Sequence, residues 1–402
     1  MTKHVRLKPM SQKVQTYETA LEWLFARTRA GDIRSGLRTL GLLEQWRHPQ
    51  NAFESIHVVG TNGKGSTCAM LAAGLGATGL RVGRFTSPHL EDYRERIVIG
   101  EQMISKEAVL EFLQWAQANT TDAAFFDLTL VLGLEYFRQQ KVDIAVVEAG
   151  VGARHDATSS IKNVKATIIT NIDLDHETTI GIGDYPSMLE NIAWEKAGAI
   201  RAGVPVLTAA KGAALEVIRS VALQEAAPLY ILEPNNPLFV LPHAPLLQGA
   251  HQLENAALAL ATLRLLGYPE HTLEAALSAT WAGRLETILH HDCTFILDGA
   301  HNPAGARALA QSLAGQQFSL IFAAMSRKRV SEILEPLLGL ASQLHFVSVS
   351  PQGVNPLELA RIYGGTAHSS LEAAIEAVRP SKKVLVAGSL YLVGAARHCL
   401  RQ

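Results

Sequence analysis

The run Gly60-Thr61-Asn62-Gly63-Lys64-Gly65-Ser66 joins a short β-branched stretch to a helix-like one, and its residue types are those of a phosphate cradle. Glycines let the backbone turn tightly so that its N–H groups converge on phosphate oxygens. The helix N-terminus adds partial positive charge, and a lysine in the turn reaches the outer phosphates. The run departs from the common G-x-x-x-x-G-K-[ST] form, because Val58 stands at the first glycine position and Gly65 intervenes before Ser66. Its place between strand and helix favours a nucleotide site over an idle glycine-rich turn.

A second group is dispersed: Ser87 in Thr86-Ser87-Pro88-His89-Leu90, Glu148 ending an apolar run, and His176 closing Asn171-Ile172-Asp173-Leu174-Asp175-His176. A hydroxyl, a carboxylate and an imidazole could hold Mg²⁺ beside nucleotide phosphates, although Mg²⁺ favours oxygen ligands and retained water. Loop capping by Ser87 and Asp175 accounts for the same residue types and, by spacing alone, is the simpler reading. A third group, Asp298-Gly299-Ala300-His301-Asn302-Pro303, again lies between strand and helix, where Asp, Asn and Pro also serve as turn and capping residues. Lys196, Asn255 and Arg284 pass, on type alone, for ordinary helix-end or surface residues.

The elements that must position these groups alternate almost from end to end. Ser55–Gly60, Val142–Glu148, Lys165–Thr170, Val204–Thr208, Thr294–Leu297, Ser319–Ala323, His345–Val349 and Val384–Ala387 read as buried strands, continuous in hydrophobicity as strands covered on both faces are. Thr67–Thr78, Lys106–Ala118, Leu128–Gln140, Leu253–Leu266 and Pro303–Leu313 carry helical spacing. Strand–helix alternation predicts an α/β fold with parallel sheets and right-handed crossovers. A change near Ala282–Asp292 divides the chain into an N-terminal domain over 1–283, a linker over 284–291 and a C-terminal domain over 292–402. A cleft between two such domains is a natural ligand site.

Composition narrows the partners. The 402 residues are 48% hydrophobic and 18% charged, with 36 Lys and Arg against 37 Asp and Glu, so a disordered chain is excluded. The formal charge of −1 gives no electrostatic case for nucleic acid or an acidic membrane surface. Three widely separated cysteines and the lack of a long apolar run point to a soluble protein of the reducing cytoplasm.

Taken in order, these stretches resemble the folylpolyglutamate synthase/dihydrofolate synthase family, a branch of the Mur ligase superfamily. The resemblance runs over nearly the whole chain: Gly36-Leu37-Arg38, GTNGKGS (60–66), TSPHL (86–90), Glu95-Arg96-Ile97, VDIAVVEAGVGARHDAT (142–158) and TNIDLDH (170–176). It continues through EKAGAIRAGVPV (195–206), GAHQLENAALAL (249–260), GRLE (283–286), DGAHNP (298–303) and GSLYLVG (388–394). It implies an α/β, Mur-ligase-like fold: a P-loop-type N-terminal ATPase domain with a mostly parallel sheet, plus a smaller α/β C-terminal domain.

The resemblance also implies an activity, ATP-dependent addition of L-glutamate to dihydropteroate and to reduced folates through an acyl phosphate. Asn62, Gly63, Lys64, Gly65, Ser66, Asn255, Arg284 and Asp298 fall at its ATP-binding positions, and Ser87, Glu148 and His176 at its Mg²⁺ ligands. Lys64, Lys196 and His301 fall at catalytic positions, with Lys196 matching a carbamylated lysine. Ser35, Gly36, Leu37, Phe126, Asp127, His155, Asp156 and Ala157 lie where the family binds the pterin. Two Mg²⁺ ions with ATP, a monovalent cation and a cytoplasmic monomer without nucleic-acid or membrane partners complete the expectation.

Three departures stand out. The family commonly reads Phe-Glu where this chain has Phe126-Asp127, and its Gly-Gly-Arg-Leu-Asp-Ala becomes Gly152-Ala153-Arg154-His155-Asp156-Ala157. A frequent Asp-Lys-Asp is replaced by Arg327-Lys328-Arg329. These changes leave room for a Mur-type ligase of another carboxylic acid, or for a nucleotide-binding homologue without catalysis.

Overall fold

The computed structural model describes residues 16–27, 36–175, 177–326 and 329–402. Among them the first sheet has eight strands: β1 Glu54–Val59, β2 Val82–Phe85, β3 Ile97–Ile99, β4 Gln102–Met103, β5 Ile144–Glu148, β6 Val164–Ile169, β7 Val206–Thr208 and β8 Leu229–Ile231. Their spatial order is β4-β3-β2-β5-β1-β6-β7-β8, and every pair from β2 to β8 is parallel. The second sheet has β9 Glu286–His290, β10 Cys293–Leu297, β11 Phe318–Phe322, β12 Ala341–Phe346, β13 Thr366–Ala367 and β14 Lys383–Ala387, ordered β13-β12-β11-β14-β10-β9. Only β9 runs antiparallel there.

Helices α1 Tyr17–Ala26, α2 Gly36–Gln45, α3 Lys64–Gly76, α4 Lys106–Asn119 and α5 Phe125–Gln139 precede β5 in the chain. Helices α6 Glu177–Ile180, α7 Met188–Ala197, α8 Gly212–Gln224, α9 Ala250–Leu265 and α10 His271–Leu277 lie between β6 and β9. Helices α11 Pro303–Ser312, α12 Val330–Leu338, α13 Pro356–Tyr363, α14 Leu371–Ala377 and α15 Leu390–Leu400 follow β10. No helix among the described residues is long and apolar enough to cross a membrane.

Strand β5 shows why its hydrophobicity is continuous. Ile144 and Val146 enter a core with Leu71 and Leu75 of α3 and Leu258 of α9, whereas Ala145 and Val147 face Leu130, Leu134 and Phe137 of α5. Successive side chains point to opposite faces, and here both faces are covered. The second sheet repeats the arrangement: Leu320 and Phe322 of β11 pack with Ile333 and Leu337, while Ile321 packs with Leu392 and Val393. The fold is α/β, with a larger N-terminal and a smaller C-terminal domain, as expected.

Two element readings need correction. The strand read at His345–Val349 runs instead over Ala341–Phe346. It pairs on one side with the two-residue edge strand β13, so its first half is open and polar and hides the ladder from an apolar scan. The expected linker 284–291 contains β9, whose half-exposed alternation suits an edge strand and not a continuous core run. The chain therefore crosses between the sheets before Glu286.

Candidate active site

The carboxyl ends of β2, β5, β1 and β6 lie side by side and carry, in turn, Ser87, Glu148, the phosphate loop and the Asn171–Asp175 segment. The edge beyond the strand C-termini is where open parallel sheets bind ligands. The loop's glycines are required by close approach. Gly60 has φ +143 and a Cβ on it would lie 1.8 Å from Thr170 Oγ1; Gly63, at φ +86, would meet Asn255 Oδ1 at 2.1 Å. The loop is tied down by the Asn62 N–H on Asn171 Oδ1 at 2.8 Å and by Thr61 Oγ1 donating to the Asp173 carbonyl at 3.0 Å. Ser66 Oγ, by contrast, is buried with no hydrogen-bond partner.

Two lysines converge on one carbonyl. Lys64 Nζ donates to the Gly60 and Thr61 carbonyls at 3.2 and 3.1 Å, and Lys196 Nζ donates to Gly60 at 2.6 Å. Lys196 occupies the last turn of α7 and is buried; that burial, helped by the Lys64 charge, brings its pKa down to about 7. Glu148 is buried too, which raises its pKa, while Lys64 Nζ at 4.0 Å from Oε1 opposes the rise. Its Oε2 accepts the Ser87 N–H at 3.1 Å. His176 lies outside the described residues.

The second sheet supplies the opposite wall. Asp298, just after β10, has both oxygens engaged by main-chain donors, Ala300 N at 2.9 Å and Leu285 N at 3.0 Å. His301 holds the Gly299 carbonyl at 2.8 Å through Nδ1, and its Nε2 lies 4.0 Å from Asp175 Oδ2. Arg284 Nη1 donates to the Gly283 carbonyl at 2.9 Å, and Asn255 Nδ2 to Gln252 Oε1 at 2.9 Å. Asn302, readable from the sequence as a capping residue, also reaches the phosphate loop. It caps α11 by accepting from Gly305 N at 2.8 Å, and it pairs with Asn62 of the phosphate loop through reciprocal amide bonds of 2.8 and 3.3 Å. Asparagine before a helix-starting proline is a readable cap; its reach across the cleft is not.

At the other end lie Phe126, Asp127, His155, Asp156 and Ala157. Asp127 accepts the Ala124 N–H at the start of α5 and Thr39 Oγ1 at 3.1 Å, and it forms an ion pair with Arg38. His155 Nδ1 is 2.9 Å from Glu195 Oε2. Asp156 accepts from the Gly150, Val151 and Thr158 N–H groups, while burial pushes its pKa up. Arg96, not singled out from the sequence, donates to His89 Nδ1 at 2.8 Å and lies 5.0 Å from the Phe125 ring centroid. Of the α2 residues, Arg38 lines the cavity whereas Gly36 and Leu37 do not, and Leu37 is 79% exposed. Ser35, Arg327 and Lys328 lie outside the described residues.

One cavity of about 560 Å³ joins these ends, lined by Asn62–Ser66, Ser87, Glu148, Lys196, Asn255, Arg284, Asp298 and His301 as well as Phe126, Asp127 and His155–Ala157. Residues 283–390 match the Mur ligase, glutamate ligase domain family. The chain is 30% identical to the dihydrofolate synthase/folylpolyglutamate synthase of Bacillus subtilis (strain 168), over 96% of this chain and 99% of that protein. It belongs to the folylpolyglutamate synthase/dihydrofolate synthase family. The folylpolyglutamate synthase of Lacticaseibacillus casei is 30% identical over 92% of this chain and 95% of its own. Among solved structures, E. coli FolC in complex with DHPP and ADP superposes with a TM-score of 0.85 at 26% identity, covering 98% and 99% of the two chains. The Mycobacterium tuberculosis folylpolyglutamate synthase complexed with ADP gives 0.83 at 27% identity, covering 96% and 98%.

The residues present fit the groups this family implies. A buried carboxylate beside the phosphate loop and an orphaned Ser66 hydroxyl are the oxygen donors a hard divalent cation takes. A buried lysine with a pKa near 7 has a substantial neutral fraction at neutral pH, and the neutral amine is the form that adds CO₂.

Proposed function

We propose that this chain is an ATP-dependent ligase that joins L-glutamate to dihydropteroate and to reduced folates. The observation that carries the reading is one cleft holding a phosphate cradle, a buried carboxylate and an aromatic, arginine-bearing far end. A carboxylate is a poor electrophile because its charge repels an attacking amine. Transfer of the γ-phosphoryl group of ATP to the acceptor carboxylate, releasing ADP, makes an acyl phosphate. The glutamate amine then attacks that carbonyl, phosphate leaves, and the nitrogen loses a proton. The protein contributes positioning, charge neutralisation and exclusion of water.

In this reading the 62–66 main chain and Lys64 hold the phosphates, with Lys64 at the β- and γ-oxygens. Ser87, Glu148, His176 and the Ser66 hydroxyl are the positions for Mg²⁺, two ions with ATP, whose chemistry is to neutralise phosphate charge. Asn255, Arg284 and Asp298 face the remainder of the nucleotide, and His301 stands beside the phosphates. Lys196 is the position for a carbamate, which exchanges a cation for an anion beside the metal–phosphate cluster. Phe126, Asp127 and His155–Ala157, with Arg38 of α2, form the pterin end, and a monovalent cation accompanies ATP. We place the N-terminal domain at 1–283 and begin the C-terminal domain with β9 at Glu286, the 284–285 segment connecting them, and take the active form to be a cytoplasmic monomer.

The test is product mass after incubation with Mg-ATP and glutamate, using dihydropteroate and tetrahydrofolate in separate reactions. One glutamyl unit added to each acceptor, with ADP formed, is the expected outcome. Extension of tetrahydrofolate alone removes the first activity, and no mass gain on either acceptor removes the folate reading.

A further inference from the structure

Gly65, the residue that lengthens the phosphate loop, has a neighbour that the reaction above does not use. A Cβ built on it would lie 2.8 Å from Nε1, 3.1 Å from Cε2 and 3.2 Å from Cζ2 of the Trp281 indole. Trp281 follows α10 and stands two residues before Gly283, in the segment through which the chain crosses to the second sheet. Its ring is held from the first sheet by Arg84 of β2, whose guanidinium carbon lies 4.8 Å from the ring centroid. Arg84 is largely buried, its Nε has no hydrogen-bond partner, and burial weighs against its charge. The Trp281 face is one partner of that charge, beside the carboxylates of Glu148 and Glu95. On the far side, Gly283 has φ +67, a Cβ there would meet Val393 Cγ1 of α15 at 2.9 Å, and its carbonyl accepts the Gly299 N–H at 2.8 Å.

We infer that Trp281 is a positioning residue for the phosphate loop: its indole seats Gly65 and so registers the loop against the segment joining the two domains. The inference rests on reading that loop as the nucleotide site. Gly65 is the second residue of α3, within the first turn whose N–H groups have no partner inside the helix and face a bound phosphate. A rigid, flat ring pressed on its α-carbon fixes where those N–H groups point. A side chain at position 65 would have to displace either the ring or the helix start. This accounts for glycine at the inserted position, and it gives movement of the inter-domain segment a direct mechanical path to the phosphate cradle.

The test is a double-mutant cycle read as ATP dissociation constant by titration calorimetry on the full chain, with thermal unfolding recorded for each variant. Gly65→Ala is expected to weaken ATP binding by about 100-fold and Trp281→Ala by about 10-fold, while adding Gly65→Ala to Trp281→Ala costs less than about 3-fold more. Trp281→Phe alone should stay within about 3-fold of the parent. Multiplying effects in the double variant, or parental affinity for Trp281→Ala, would overturn the inference. If Trp281→Ala does not fold, the cycle is run with Trp281→Phe, where the smaller ring must relieve part of the Gly65→Ala loss and independent effects count against the idea. A parent chain that binds no ATP removes the nucleotide-site reading together with this one; a parent that binds ATP with multiplying effects removes this one alone.

Discussion

The two ends of the cavity differ in how far their polar groups are already satisfied. At the phosphate end Ser66 Oγ has no partner, two lysines crowd the Gly60 carbonyl, and Glu148 is buried beside one of them. At the far end Asp127, His155 and Asp156 are each engaged: by Arg38 and Thr39, by Glu195, and by a row of N–H donors. Buried polar groups left open cost free energy until something satisfies them. One end therefore gathers two cations, a carboxylate and an open hydroxyl suited to phosphate and its counter-ion, whereas the other is a preassembled wall that selects by shape and by the few faces left open. Substitutions at the two ends should fail in different ways.

Lys64→Ala tests the first end most severely. Removing the cation expected to meet the transferring phosphoryl group should lower the ligation rate by at least about 1000-fold while circular dichroism and the unfolding temperature stay near the parent. Near-normal turnover would show that the cradle works without its lysine, and the contrast between the ends would lose its stronger half.

Lys196→Ala should cost about 100-fold in rate, a smaller effect because the group acts beside the phosphates and not on them. Short carboxylic acids added to the reaction should restore part of the loss if a carbamate supplies the missing anion. Its amine has a pKa near 7, so the neutral, CO₂-reactive fraction grows as pH rises through 7. A carbamate carbon signal from ¹³C-bicarbonate should strengthen over that range in the parent and be missing in Lys196→Ala. A fully active Lys196→Ala variant would end the carbamate reading.

The same contrast explains what could be read in advance. The phosphate loop is legible because its chemistry is contiguous and sits between a strand and a helix, so residues 62–66 carry their own context. Ser87, Glu148, Lys196 and Asn255 come from four separate elements, and only the ordered set of motifs draws them into one site. The capping role of Asn302 is legible, but its pairing with Asn62 and the approach of Trp281 to Gly65 are not, because each joins residues more than two hundred positions apart and neither spacing nor residue type encodes such a meeting. The short antiparallel strands β3, β4 and β9 are too brief or too exposed for a hydrophobic scan, whereas the doubly covered β1, β5 and β11 are plain in it. Arg38 stood beside an expected site run, yet its pairing with Asp127 is a matter of how α2 lies on α5.

That pairing gives the smallest and most discriminating substitution. Asp127→Asn keeps the size of the side chain but removes the charge that holds Arg38. The loss of a charge-assisted, buried hydrogen-bond set should lower stability by about 1–2 kcal/mol in denaturant unfolding. Released from its carboxylate, Arg38 should change how the far end receives its acceptor, raising KM for the folate or pteroate substrate about 5-fold while leaving KM for ATP within about 2-fold. The split between the two KM values matters more than either number. Equal increases for acceptor and ATP would mean that the α2–α5 contact supports the whole cleft and not one end of it. A rise in the acceptor term alone would assign the departure at Phe126-Asp127 to acceptor recognition, because the shorter carboxylate is then the group that sets where Arg38 stands.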